Sequence, residues 1–391
     1  RQFLPLFQAD VPGREAEVKI LYTNFHAGNG GGHVTYIINL AKALARDHEI
    51  TVAAPATSRL HRYARAIPGV TVVDMQYTTR PSSWFKDRSK LRRLIKAGRF
   101  DIIHVNGSAD HKQVMLATLG MARRPRIVFT KHNDHPLSSF GHKLRVALAT
   151  DHGIAVSDYV HGLMQRSPYS KRPITTIRHG IDTNFFAPPP PESLDKLRAL
   201  IFGQAWQGKL LLGSAGGTDY DKGWLDLVAA VAALPPADKA RVLLMVAGDP
   251  PSEAKLARVR ELGMIDQVRF PGLLDDVRAA LASCHAGFVL SYREALSFAC
   301  REIMGLGLPA LVTDVGGLPE NVTDGVDGWI VPVRDVPAMT AKLRFMLDHP
   351  DAVRAMGARA RETSLRDFNL DRFAAATVDV YQRTLDGRRA L

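Results

Sequence analysis

Cysteine is scarce. The 391 residues hold only Cys284 and Cys300, too few for a disulfide framework and in no metal-type C-x-x-C spacing. That argues against a small bridge-stapled secreted scaffold and favours a reducing compartment, most simply the cytoplasm. Long apolar runs are missing as well. A stretch such as Ile303–Thr313, IMGLGLPALVT, is about half the roughly 20 residues a spanning helix needs, so no membrane-crossing segment is expected. The opening RQFLPLF is broken by Pro5 and lacks the apolar core of a signal peptide. Acidic residues are short in one half only. Through Ala187 the chain has 27 Lys and Arg against 13 Asp and Glu, and the remainder has 24 against 26. The first half also holds 12 of the 14 histidines, so mild acidification is expected to deepen its positive charge. Such a surface suits an anionic partner: a phosphorylated glycan, an acidic membrane or nucleic acid.

A complete dinucleotide fingerprint is absent too. In NFHAGNGGGHVTYIINLAKAL, residues 24–44, the six positions from Gly28 read G-N-G-G-G-H, and His33 stands where the third glycine belongs. That weakens the case for a dinucleotide oxidoreductase. A glycine loop entering a helix still turns unpaired N–H groups toward an anion, with a plain strand-to-helix turn as the alternative.

What the chain has in quantity is alternation. VKILYTN, EITVAAP, VTVVDM, DIIHVNG, RIVFTKH, GIAVS and ITTIRHG are apolar, β-branched runs set between helix-periodic segments. This is a βα series and predicts a parallel sheet covered on both faces. APPPPESLD, from Ala187 to Asp195, interrupts it as a stiff linker. A second series follows in KLLLGSAGG, RVLLMVAGD, QVRFPG, AGFVLSY, PALVTDVGG and GWIVP, and helices are expected near 336–348, 351–363 and 370–386. The fold class predicted is α/β, with two Rossmann-like doubly wound domains, 1–187 and 188–391, facing a ligand cleft at the strand carboxyl ends. The last helix is a candidate to pack back on the first domain.

The stretch richest in chemistry is SYREALSFACREIMGLGLPALVTDVGGLPENVTDGVDGWIVP, from Ser291 to Pro332. On one helix, Glu294 and Glu302 would lie about 12 Å apart along the axis, too far for a glycosidase pair flanking one sugar bond. Two carboxylates with backbone N–H groups near Ser297 between them instead suit an elongated ligand carrying hydroxyls at its ends and anions in its middle. A nucleoside-diphosphate sugar has that layout.

The segment resembles the E-x7-E region of retaining GT-B glycosyltransferases of family 4, the glycosyl transferases group 1. Gly316-Gly317, Pro319-Glu320 and DGVDGWIVP carry the likeness, and Gly31-Gly32, TKH ending at His132, AVSDYV, HGIDTNFF, DKG at 221–223 and VRFPGLLDDV follow the family's order. The resemblance implies catalytic roles for His132, Lys222 and Glu294. It implies donor contacts from Gly31, Gly32, Lys222, Leu273, Glu294, Leu296, Ser297, Phe298 and Glu302. Glu302 would take the ribose hydroxyls and Glu294 those of the donor sugar. Lys222 would neutralise the leaving diphosphate, and Gly31-Gly32 would let backbone approach it. No cofactor is implied, since the nucleotide sugar is a substrate, and no metal; DYD at 219–221 reads as loop and helix cap. The loop before Lys222, GSAGGTDYDKG, has no arginine where relatives often place one. Ala295 replaces a usual glycine and His285 a frequent aspartate, departures that bear on the donor sugar.

The expected activity is hexosyl transfer from a nucleoside-diphosphate sugar, UDP foremost, to a glycan or lipid-linked acceptor such as a lipopolysaccharide or cell-envelope polysaccharide precursor. A nucleotide-sugar epimerase on the same architecture is the alternative. A nucleic-acid- or anion-binding protein would explain the charge but not the glutamates and glycine loops, so no nucleic acid is expected as partner. WFKDRSKLRRLIKAGRF, residues 84–100, has seven Lys and Arg against one Asp. It fits either adsorption to the inner face of an anionic membrane or an ordinary helix packed on its sheet. Arg178 and His179 are read either as anion contacts at the hinge or as interdomain packing.

Overall fold

The computed structural model describes residues 17–28, 31–78 and 81–389; RQFLPLF, Asn29 and Gly30 lie outside them. The first seven strands are β1 (Lys19–Thr23), β2 (Glu49–Ala54), β3 (Val70–Asp74), β4 (Ile102–Val105), β5 (Arg126–Lys131), β6 (His152–Ala155) and β7 (Ile174–Thr176). They form one parallel sheet in the order β3-β2-β1-β4-β5-β6-β7. β8 (Leu210–Ser214), β9 (Val242–Val246), β10 (Val268–Arg269), β11 (Ala286–Val289), β12 (Ala310–Thr313) and β13 (Gly328–Val331) form a second, in the order β10-β9-β8-β11-β12-β13. Twelve of the thirteen lie inside an apolar run of the sequence, and β6 starts one residue before its run, at His152. Central strands such as β4, β8 and β9 are buried along their whole length, as a parallel sheet clad in helices on both faces demands.

Both sheets reverse strand order once, between β1 and β4 and between β8 and β11. Loops leaving neighbouring strands part at such a point and open a crevice. The loops after β1, β4 and β5 therefore meet the loops after β8 and β11. The first of these leads into α1 (Gly32–Leu44), whose N-cap is Gly31. It is followed in chain order by α2 (Arg59–Ala64), α3 (Pro81–Gly98), α4 (Ser108–Thr118) and α5 (Phe140–Ala149).

The C-terminal helix, Leu370–Arg389, lies against the first sheet rather than the second. Phe373, Ala374, Val378, Val380 and Tyr381 belong to the core around β1, β4 and β5. The Tyr381 hydroxyl bonds the Tyr22 hydroxyl at 3.0 Å and His104 Nδ1 at 2.6 Å, and the His104 Nε2 reaches Thr130 Oγ1 at 2.6 Å. Buried polar groups of this kind are fully paired or costly.

α3 takes in most of the basic segment. Leu91 and Ile95 are in the core, Lys90 donates to the Asp74 carbonyl at 2.5 Å, and Arg92 donates to the carbonyls of Ala117 and Leu119 at 2.6 and 2.8 Å. Arg92 thereby caps the C-terminus of α4, where cations are favoured. Lys86, Arg93, Lys96 and Arg99 stay exposed. The side chain of Trp84 lies outside the described residues. No helix among the described residues is long and apolar enough to cross a membrane.

The histidines correct one expectation. Burial holds His33, His104 and His111 near a pKa of about 3 and His142 and His152 near 4, and it pushes His132 and His179 well below the ordinary value. Mild acid therefore leaves most of that half's histidines neutral and adds little to its positive charge, because desolvation outweighs the intrinsic basicity.

Candidate functional site

The run DKGWLDLVAAVAAL reads as a helix opened by Lys222, and the structure corrects this. Lys222 ends a short 3-10 turn, Tyr220–Lys222, and the helix begins at Trp224 after Gly223. Gly223 has a φ of 65°, and a Cβ there would overlap the Leu290 carbonyl oxygen, so only glycine lets the β8 loop lie this close to the end of β11. The Tyr292 N–H then donates to the Asp221 carbonyl at 2.8 Å. These contacts bring Lys222 Nζ to 3.8 Å from Glu294 Oε2. Burial raises the Glu294 pKa, and the Lys222 charge opposes that rise.

Glu294 precedes its helix, Phe298–Gly305, and Glu302 lies on the second turn. Gly316 at φ 58° packs so tightly that a Cβ would overlap the Glu294 carbonyl oxygen, and the Gly317 N–H donates to that oxygen at 3.1 Å. The helix N-cap is Ser297, at a φ of 91° and with its hydroxyl accepting from the Cys300 N–H. A non-glycine residue in that region stores strain, which the surrounding packing must hold in place.

A cleft of about 390 Å³ gathers Gly32, His132, Glu294, Leu296, Ser297 and Phe298. A neighbouring pocket of about 690 Å³ holds Gly31 and Glu302, so the glycine pair divides the two. Leu273 is 52% exposed and lines neither. Burial lifts the Glu302 pKa to about 7, opposed by Arg59. Asp219 faces Lys255 at 4.0 Å, and among the described residues no group of three or more His, Cys, Asp or Glu could hold a metal ion.

Several contributors to the cleft were not legible in advance. Asn106, at the end of β4, gives both amide protons to backbone carbonyls, of Thr23 and His104. Its Oδ1 is left to accept, and it does so from His132 Nε2 at 2.9 Å. Neutral His132 therefore carries its proton on Nε2 and offers a bare Nδ1. His33 and His179 border the same cleft, each with an unpartnered buried Nε2; His179 stacks on Phe298 at 3.6 Å. The only signal for Asn106 was a polar residue just past an apolar strand.

Pairs across the two sheets hold the cleft walls. Arg293 grips Asp134 at 2.8 and 2.9 Å, and the Tyr63 hydroxyl donates to Asp275 at 2.7 Å. Glu320 accepts from the N–H groups of Asp158 and Tyr159 and from Arg178. Arg178 is thus interdomain packing. His285 sits before β11, at the strand end away from the cleft, with Nδ1 accepting from the Leu211 N–H. Its departure from the usual aspartate therefore does not bear on the donor sugar.

Comparison with known proteins agrees with this geometry. Residues 30–185 match the family model described as Glycosyltransferase Family 4, and residues 200–363 match Glycosyl transferases group 1. The chain is 27% identical over 306 residues to N-acetyl-alpha-D-glucosaminyl L-malate synthase of Bacillus anthracis, covering 76% of this chain and 78% of that protein. It is 24% identical to D-inositol 3-phosphate glycosyltransferase of Kribbella flavida, over 91% of each. Among solved structures, Anabaena Alr3699/HepE in complex with UDP-glucose superposes with a TM-score of 0.79 at 19% identity, covering 96% of this chain and 100% of that one. WaaG, a glycosyltransferase involved in lipopolysaccharide biosynthesis, superposes at 0.71 with 16% identity, over 93% and 99%.

Proposed function

The chain belongs to family 4 of the GT-B glycosyltransferases, and from that premise we propose that it transfers a hexosyl group, with retention, from a UDP-sugar to a glycan or lipid-linked acceptor of the cell envelope, releasing UDP. The observation that carries this reading is the meeting of Lys222 with Glu294, which itself lines a cleft together with His132. Support for the nucleotide comes from the Anabaena protein, whose structure holds UDP-glucose, and support for an envelope acceptor from WaaG, involved in lipopolysaccharide biosynthesis.

In this reading residues 188–391 bind the donor and residues 1–187 face the acceptor. Glu302 accepts from the ribose hydroxyls, and the diphosphate runs past Gly31-Gly32 and the N–H groups after Ser297. Leu296 and Phe298, which line the cleft, supply apolar contact along the nucleotide and sugar. Glu294 accepts from the donor sugar's hydroxyls, and His132 Nδ1 accepts from another. As the bond from sugar C1 to the phosphate oxygen breaks, Lys222 stabilises the growing negative charge. The acceptor hydroxyl forms its bond to C1 on the same face, and its proton passes to the departing phosphate. The exposed face of α3, bearing Lys86, Arg93 and Lys96, with Arg99 just past its end, rests on the inner, anionic face of the cytoplasmic membrane.

Calorimetric titration with UDP-, GDP- and ADP-sugars tests the donor assignment. Binding of a UDP-sugar that Glu302→Ala weakens supports it; no binding of any of the three refutes it.

A further inference from the structure

A cavity separate from the cleft lies at the opposite end of the second domain. Its walls start at the amino ends of three strands, with Leu210 on β8, Cys284 and His285 just before β11 and Leu308 just before β12, whereas the cleft opens at the carboxyl ends. It encloses about 800 Å³, within the range of small-molecule sites, and its floor is apolar, made by Leu210, Leu306, Leu308, Met346 and Leu347. The proline linker forms one wall. Pro188 and Pro189 line it, and a Cβ on Gly307 would meet Pro188 Cγ at 3.2 Å. The fixed φ of proline stiffens such a wall.

Cations crowd its rim. Arg198, Lys209, Arg241, Arg354 and Arg361 line it against one carboxylate, Glu362, in a half of the chain whose acids outnumber its bases by 26 to 24. Arg198 and Arg354 each face an aspartate three residues earlier, Asp195 at 3.4 Å and Asp351, and exposed pairs of this kind hold their charges loosely. Arg198 also donates to the Ser283 carbonyl at 3.4 Å and lies over the Trp206 ring, contacts that fix it beside β11. Both guanidiniums act on His285, whose pKa burial and then these two charges lower to about 4. His285 Nδ1 accepts from the Leu211 N–H at 3.1 Å, so the neutral ring carries its proton on Nε2, and that N–H has no partner among the described residues. The aspartate frequent at this position in relatives would repel an anion, whereas histidine offers it a donor.

We propose that this cavity binds an amphiphilic anion, a hydrocarbon body covering the leucines and one compact head, a carboxylate or a phosphate, held by Arg198, Arg354 and the His285 Nε2–H. Apolar surface left open to water and cations without matching anions are each unfavourable, and one such ligand relieves both. A sugar would find a single carboxylate in the lining for its hydroxyls, Glu362. Carboxylate and phosphate share the charged hydrogen bonds that two guanidiniums read. The site is remote from the donor cleft and does not rest on the transfer proposed above.

The test is calorimetric titration of the full chain with octanoate, octyl phosphate and 1-octanol, each below its micelle concentration. The expected result is single-site binding of at least one anion, with 1-octanol weaker by roughly tenfold or more. His285→Asp and Arg354→Gln should each weaken the anion by a similar factor, and Ala358→Trp, which fills the cavity from an exposed helix position, should abolish binding. Octyl phosphate alone identifies a phosphate head, octanoate alone a carboxylate, and both support the site. Binding of neither anion, 1-octanol binding as tightly as the anions, or anion binding that these variants preserve overturns it. A dimer in sedimentation that Ala358→Trp dissolves would assign the cavity to a second copy of the chain and likewise overturn it. If His285→Asp fails to fold, Arg354→Gln and Ala358→Trp decide. UDP affinity should be the same in every variant, and a chain that binds no UDP would refute the donor assignment while leaving these titrations readable.

Discussion

Lys222 and Glu294 stand with Nζ 3.8 Å from Oε2, brought together by a hydrogen bond from the Tyr292 N–H to the Asp221 carbonyl. In the proposed reaction the ammonium meets less charge in the bound donor than in the transition state, where the diphosphate is leaving. Lys222→Ala should therefore lower kcat by roughly a hundredfold or more while changing donor affinity much less. Steady-state rates beside calorimetric affinities separate the two. An equal loss in both would make Lys222 a uniform binding residue.

Glu302 makes donor affinity depend on pH. Burial lifts its pKa to about 7, and only the ionised carboxylate can accept from two ribose hydroxyls. UDP-glucose affinity should rise as pH climbs from about 6 to 8, and Glu302→Gln should flatten that rise and weaken binding roughly ten- to a hundredfold. The same group acts oppositely on folding: between about 4.5 and 7 the native chain holds a proton the unfolded chain has lost, so this contribution to stability falls with rising pH. Parallel pH profiles of the variant and the parent would remove Glu302 from the nucleotide site.

Stability as a whole should move the other way. Nine histidines have depressed pKa values in the fold: His26, His33, His104, His111, His132, His142, His152, His179 and His285. Three carboxyls, Asp110, Glu294 and Glu302, are raised. As pH falls from 6.5 toward 4 the unfolded chain takes up histidine protons that the native chain refuses, so stability declines. Urea unfolding at pH 7, 6 and 5 should give falling midpoints at constant slope; a flat or rising series would contradict the burial assigned to these rings.

Reversal of Lys86, Arg93 and Lys96 to Glu should lower partitioning onto anionic vesicles by at least roughly a hundredfold, since each basic residue near such a surface contributes about 1 kcal/mol. Lys90 and Arg92 are left alone because they hold backbone carbonyls. Attraction should fade between 0.1 and 1 M salt as screening shortens from about 10 to 3 Å. Equal co-sedimentation of variant and parent at low salt would make α3 a solvated face.

The strands were legible because a parallel sheet buried on both faces needs continuous apolar runs, and each of the thirteen coincides with one to within a residue. Glu294, Glu302 and the glycines around them were legible for a related reason: a backbone that must pass against the Glu294 carbonyl, as Gly316 does, leaves a glycine in the sequence. Contacts made only by tertiary packing left no such trace. Nothing local to Asn106 announces that its amide fixes the His132 tautomer, and the clustered histidines read as charge until the fold shows them dry. Lys222 reads as a helix start because the apolar period begins beside it, but it closes a 3-10 turn, and the left-handed Gly223 separates that turn from the helix at Trp224.

The central claim, retaining transfer from a nucleotide sugar, is tested most directly by proton NMR of the first turnovers with UDP-glucose, in water alone and with a candidate acceptor. The account predicts UDP release accompanied by a glucosyl product of the donor's own α configuration, seen before mutarotation and lost in Lys222→Ala. A β-configured first product would contradict retention, and a UDP-sugar epimerised without release of UDP would contradict transfer itself.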